Sequence, residues 1–116
     1  MNTEIPAIEV GVHEAVGEEQ LSEILLGMEE EGVPAHVWRD GELNPLNLAA
    51  RAATASRLGV GVGIALDYAV ITTDKLPPER PYIATHVFHD RSRDRIVGSN
   101  AARLVKRIPL RQERSQ

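Results

Sequence analysis

Hydrophobic positions along the chain follow two periods in turn. Over positions 6–12, Ile8, Val10 and Val12 alternate with Ala7, Glu9 and Gly11, the two-residue repeat of a β-strand covered on at least one face. After a turn at 13–17 the period lengthens. Leu21, Ile24, Leu25 and Met28 lie at i, i+3, i+4 and i+7, which predicts a helix over about positions 18–31 with one buried apolar stripe. Three residues mark its end: Gly32 for the left-handed cap, Val33 for the accompanying apolar contact and Pro34 to block continuation. The brief apolar run at 35–38 predicts a strand at a sheet edge, and Asp40-Gly41 a turn. Asn44 followed by Pro45 is an N-cap with proline at the first helical position. Leu46, Ala49, Ala50 and Ala53 then form a small-residue stripe that lets a helix approach a sheet closely.

Positions 60–66 predict a central strand in which Gly61 and Gly63 alternate with Val60, Val62 and Ile64. A phosphate-binding glycine loop must join a strand to the start of a helix. These glycines lie inside an apolar run, so close helix packing over bare backbone is the better reading. Asp67-Tyr68 is too short for a parallel crossover, and 69–73 therefore returns as an antiparallel hairpin strand. A proline-containing loop over 74–81 leads to a last strand at 82–88, a charged stretch at 89–95 and a helix at 97–107 for which Ser99 is a candidate cap. The pattern, βαβαββα, predicts a three-layer α/β sandwich. Its sheet is mixed and mostly parallel, with about five strands of which one is antiparallel, in a single domain 1–116 whose tail at 112–116 is frayed.

Composition sharpens this picture. With 42% hydrophobic but only 3% aromatic residues, the core must be built from Ala, Val, Leu and Ile. Thirteen basic against 17 acidic residues give a net charge of −4, and no basic stripe interleaves with aromatics, which argues against nucleic acid. The absence of cysteine excludes disulfides and thiolate chemistry. No apolar run approaches the roughly 20 residues of a membrane span, and the N-terminus lacks the form of a signal peptide. A soluble, cytoplasmic protein is expected.

The residue types that carry chemistry are scattered. Glu29, Glu30 and Glu31 end the first helix, where the dipole already carries partial negative charge and each carboxylate is unfavourable by roughly 0.3 to 1 kcal/mol. No Lys or Arg stands three or four residues away to relieve them. Successive helical residues point about 100° apart, so the three cannot converge on one site. A solvated helix end and a metal or basic partner both fit. His86 and His89 fall on opposite faces if their strand continues, and form a metal pair only if the chain turns between them. His13 and His36 are isolated, Asp67 and Asp74 suit turns, and no serine sits in a nucleophile elbow.

Two longer segments are more specific. Leu-Leu-Gly-Met-Glu-Glu-Glu-Gly-Val-Pro at 25–34 and Ser-Asn-Ala-Ala-Arg-Leu-Val-Lys at 99–106, with Val-Gly-Ile-Ala-x-Asp at 62–67 and Lys-Leu-Pro at 75–77 between them, resemble the small subunit of diol and glycerol dehydratase reactivating factors. The resemblance runs in order from Pro6 to Arg111. It departs from the family pattern at Ser99, where asparagine is usual, at Leu66, where cysteine is common, and in Thr-His-Val-Phe-His-Asp at 85–90.

What the resemblance implies is an α/β domain shared with the medium subunit of the coenzyme B12-dependent dehydratase, and no catalysis by this chain. It implies a complex with an actin-like or Hsp70-like ATPase large subunit, which carries ATP or ADP. That complex releases damaged cobalamin from inactivated dehydratase by exchanging subunits. The resemblance also implies that Glu30 reaches a magnesium ion held mainly by the large subunit, with Glu29, Glu31, Asn100, Arg103 and Lys106 at the interface. It leaves the client, diol or glycerol dehydratase, and association with a bacterial microcompartment open. Two alternatives stand beside it: a structural component like the dehydratase medium subunit, which is normally longer before the position of Pro6, and a stand-alone homo-oligomeric or metal-dependent module using His86 and His89.

Overall fold

A five-stranded sheet in the order β2-β1-β3-β4-β5 organises the molecule, seen in a computed structural model that describes residues 5–112. Its elements follow the chain as β1 (Ile8–His13), α1 (Glu18–Glu30), β2 (Ala35–Asp40), α2 (Pro45–Ala55), β3 (Val60–Ala65), β4 (Tyr68–Thr73), β5 (Ile83–His86) and α3 (Arg91–Lys106). The order is thus βαβαβββα, with the five strands and three helices read along the sequence; the shorthand βαβαββα omits one of those strands. β1 pairs in parallel with both β2 and β3, and β4 is antiparallel to β3 and to β5. Only β4 runs against the rest, as expected. Of the tail predicted at 112–116, positions 113–116 lie outside the described residues.

The chain moves from β1 outward to β2 and then back past β1 to β3. Right-handed crossovers in opposite directions put α1 and α2 on opposite faces. The packing agrees. Val60, Val62 and Ile64 join Ile8, Val10 and Val12 in one core with Leu21, Ile24 and Met28 of α1 and Val97, Ala101 and Ala102 of α3. On the other face, a Cβ at Gly61 or Gly63 would collide with the α2 backbone at Ala53 and Ala49. The two glycines therefore let α2 lie against bare strand, and every residue of β3 is buried.

Local chemistry sets the helix ends. The α1 terminus is a full double-bonded cap: Gly32 has φ 78°, its N–H donates to Glu29 O at 2.9 Å, and Val33 N–H donates to Met28 O at 3.3 Å. Asn44 Oδ1 accepts from Leu46 N at 3.0 Å ahead of Pro45. The last helix differs from the expectation. It begins six residues earlier than position 97, with Asp90 as N-cap accepting from Ser92 N and Arg93 N, and Ser99 is a buried mid-helix residue rather than a cap. Among the described residues no helix is long and apolar enough to cross a membrane.

Candidate functional site

The acidic end of α1 is built against α3, and two glycines make this possible. A Cβ at Gly27 would fall on the Arg95 carbonyl, and one at Gly98 on the Ile24 carbonyl, so the two backbones touch where they cross. Because both helices leave the carboxyl edge of the sheet, they run in the same direction and their side chains meet in step. Glu23, Gly27, Glu30 and Glu31 stand at offsets 0, 4, 7 and 8 on α1, and Arg91, Arg95, Gly98 and Ser99 repeat the same offsets on α3.

Charge is matched along this seam. Glu23, buried at the middle of α1, accepts from Arg91 Nη2 and Arg95 Nε, each at 2.8 Å, and these guanidinium contacts hold its carboxyl below the usual carboxylate range. Glu30 Oε2 accepts from Arg95 Nη1 at 2.8 Å. Glu31 Oε2 accepts from Ser99 Oγ at 2.6 Å and Arg103 Nε at 2.9 Å, while Lys106 Nζ donates to Glu31 Oε1 at 3.1 Å and to its carbonyl at 2.8 Å. The Ser99 hydroxyl first, then Arg103 and Lys106, lower the Glu31 carboxyl to about 2. The cations that helix spacing could not supply thus come from α3, and they answer the adverse charge at the helix end.

The predicted site residues part company here. Glu31, Arg103 and Lys106 are brought together in one cluster. Glu30 stands beside it with its side chain 47% exposed, and Glu29 is also exposed. Asn100 is buried and faces elsewhere: its amide donates to Arg111 O at 2.9 Å and accepts from Arg111 N at 2.6 Å, pinning the segment after α3. Glu23, Arg91 and Arg95 were missed in the sequence, although the repeated offsets on the two helices carry the signal.

A second gathering lies at the opposite, carboxyl edge of the sheet. β5 stops at His86 and the chain turns through Phe88, with φ 76°, so that His89 Nε2 comes to 3.0 Å from Asp67 Oδ2. His86 Nδ1 lies 3.6 Å from the same oxygen. The His89 contact leads in lowering the Asp67 carboxyl below its ordinary range. Nearby, burial raises the carboxyl of Asp94, which accepts Phe88 N–H on both oxygens at 3.1 Å.

The layered sheet carries a seam of two parallel helices, one ending in carboxylates and the other in cations, and the match of the dehydratase medium subunit family model to residues 5–111 gives the class of the chain. The chain is 37% identical over 90 residues to the propanediol dehydratase-reactivating factor small subunit of Citrobacter freundii, covering 78% of each. It is 36% identical over 94 residues to the diol dehydratase-reactivating factor small subunit of Klebsiella michiganensis, covering 81% of this chain and 75% of that one. Among solved structures, a chain of the diol dehydratase-reactivating factor complexed with ADP and magnesium superposes with a TM-score of 0.87 at 34% identity, over 94% of this chain and all of that one. A chain of glycerol dehydratase reactivase gives 0.87 at 32% identity, over 93% of this chain and 98% of that one. The chain belongs to the family of dehydratase-reactivating factor small subunits.

Proposed function

We propose that this chain is the non-catalytic small subunit of a reactivating factor. It pairs with an actin-like or Hsp70-like ATPase large subunit, and the complex frees inactivated diol or glycerol dehydratase of damaged cobalamin by exchanging this chain for the dehydratase's related subunit. The supporting observation is the superposition over the full length of a chain from the factor that was solved with ADP and magnesium. Exchange between two subunits requires that both present the same docking shape, and the match to the medium-subunit family model supports that reading.

Glu30 is the residue of this chain suited to a shared magnesium ion. Its carboxylate is held at one oxygen by Arg95, is half exposed and lies outside the tight Glu31 cluster. One carboxylate suits an ion that takes the rest of its oxygen ligands from elsewhere, since magnesium keeps several waters and few protein ligands. The magnesium would supply a bridge between the subunits, with ADP or ATP bound by the large one. Glu29, Arg103 and Lys106 border this edge, and Asn100 acts by fixing the segment that follows α3.

The test is assembly with the large subunit at varied magnesium. Glu30→Gln removes the charge but changes the stability of the isolated chain by no more than about 1 kcal/mol, because its ion pair is exposed. Magnesium-dependent association weakens in the variant, read by titration calorimetry. Equal association of variant and native chains with and without magnesium removes Glu30 from the site. The isolated chain hydrolyses no ATP, and hydrolysis by it would contradict the non-catalytic role.

A further inference from the structure

We propose that Asp67, His86 and His89 form a binding site for a zinc-class divalent cation, with three protein ligands and the fourth position open to water or an external donor. The two imidazoles and one carboxylate offer ligand atoms that all lie within 4.8 Å of one another. In a tetrahedral zinc site with bonds of about 2.0 to 2.2 Å the ligand atoms stand roughly 3.3 to 3.5 Å apart. Small side-chain rotations close that gap. All three side chains are reachable from solvent, so an ion has a path in.

The backbone, not the side-chain contacts, brings the three together. Asp67 sits in the two-residue turn between β3 and β4, and His86 stands opposite Tyr68 on the last rung of the β4 and β5 ladder. Asp67 O accepts Val87 N–H at 2.9 Å, tying the turn to the end of β5. The next amide, that of Phe88, is held by buried Asp94, and Asp90 caps α3 just beyond. His89 is therefore fixed on both sides. The Tyr68 ring lies against His86 with centroids 4.3 Å apart and restricts its rotation.

The turn itself is the less ordinary feature. Phe88 holds a left-handed φ of 76°, a conformation costing a bulky residue on the order of 1 to 2 kcal/mol. A strand continued past His86 would carry His89 to the other face; this turn returns it to Asp67. The donor set selects the ion. Imidazole nitrogen suits zinc and its neighbours, whereas magnesium and calcium prefer oxygen alone. Glu30 lies at the other edge of the sheet, so this site stands independently of the magnesium bridge proposed there.

The experiment uses the full chain without an affinity tag and zinc chloride alone, with magnesium chloride in parallel. Calorimetry is expected to show one saturable zinc per chain and no matching magnesium event. Imidazole resonances of His86 and His89 shift in the native protein, while those of His13 and His36 stay in place. His86→Ala, His89→Ala and Asp67→Asn each weaken zinc binding by about tenfold or more and abolish the zinc-dependent rise in melting temperature. Absence of saturable binding overturns the site, as does binding that survives all three substitutions or moves His13 and His36 equally. The resonance shifts need no variant, so a substitution that harms folding leaves the test intact.

Discussion

Glu31 accepts hydrogen bonds from a hydroxyl, a guanidinium and an ammonium at once, and its carboxyl is lowered from 4.5 to about 2. A carboxylate whose folded value lies below its unfolded one stabilises the fold fully above the unfolded value, here 4.5, and loses that contribution as pH falls toward 2. At about 1.4 kcal/mol per unit of difference, the contribution has an upper bound of about 3.5 kcal/mol. Urea unfolding at stepped pH should therefore show native stability falling between pH 4.5 and 2. Glu31→Gln should cost about 1 to 3 kcal/mol at neutral pH, since it leaves Arg103 and Lys106 facing no carboxylate. The variant should also flatten the fall. Glu23 and Asp67 add to the acid loss in both proteins and Asp94, raised by burial, opposes it. The difference between the two curves therefore isolates Glu31, and parallel curves would mean that it carries no linked proton.

At the scale of the element, the seam between α1 and α3 depends on Gly27 and Gly98 more than on its ion pairs, because backbone atoms cannot rotate out of the way. Gly98→Ala places a methyl group on the Ile24 carbonyl and forces the helices apart. A loss of about 3 kcal/mol, at the upper end of ordinary overpacking, is expected from thermal or urea unfolding. A variant as stable as the native chain would show that the helices do not cross so closely. The sequence showed the strand and helix periods, the caps at Gly32 and Asn44, and the glycines under α2, because each is a local pattern. It hid the start of α3, whose first turn is built of Arg91, Ser92, Arg93 and Asp94 and offers no apolar period. It also hid the purpose of Ser99, which looks like a cap until Glu31 stands beside it, 68 positions away. No residue type announces the turn at Phe88, since only glycine and asparagine commonly mark a positive φ.

At the scale of the whole molecule, one sheet carries two distinct edges. The amino edge of the parallel strands presents Glu29 and Glu30 beside the closed Glu31 cluster, and the carboxyl edge presents Asp67, His86 and His89. The proposed assembly uses the first, the proposed cation site the second, and substitutions at one should leave the other unchanged. In the proposed role this chain docks on an ATPase-type large subunit and competes for the place of a related dehydratase subunit. Its most direct test is to co-express the chain with the candidate large subunit, and separately with the remaining dehydratase subunits, and to measure the native mass of what co-purifies. A stable complex with the large subunit, from which inactivated dehydratase withdraws this chain, is the predicted result. A complex with dehydratase subunits alone, or with neither, would contradict the account.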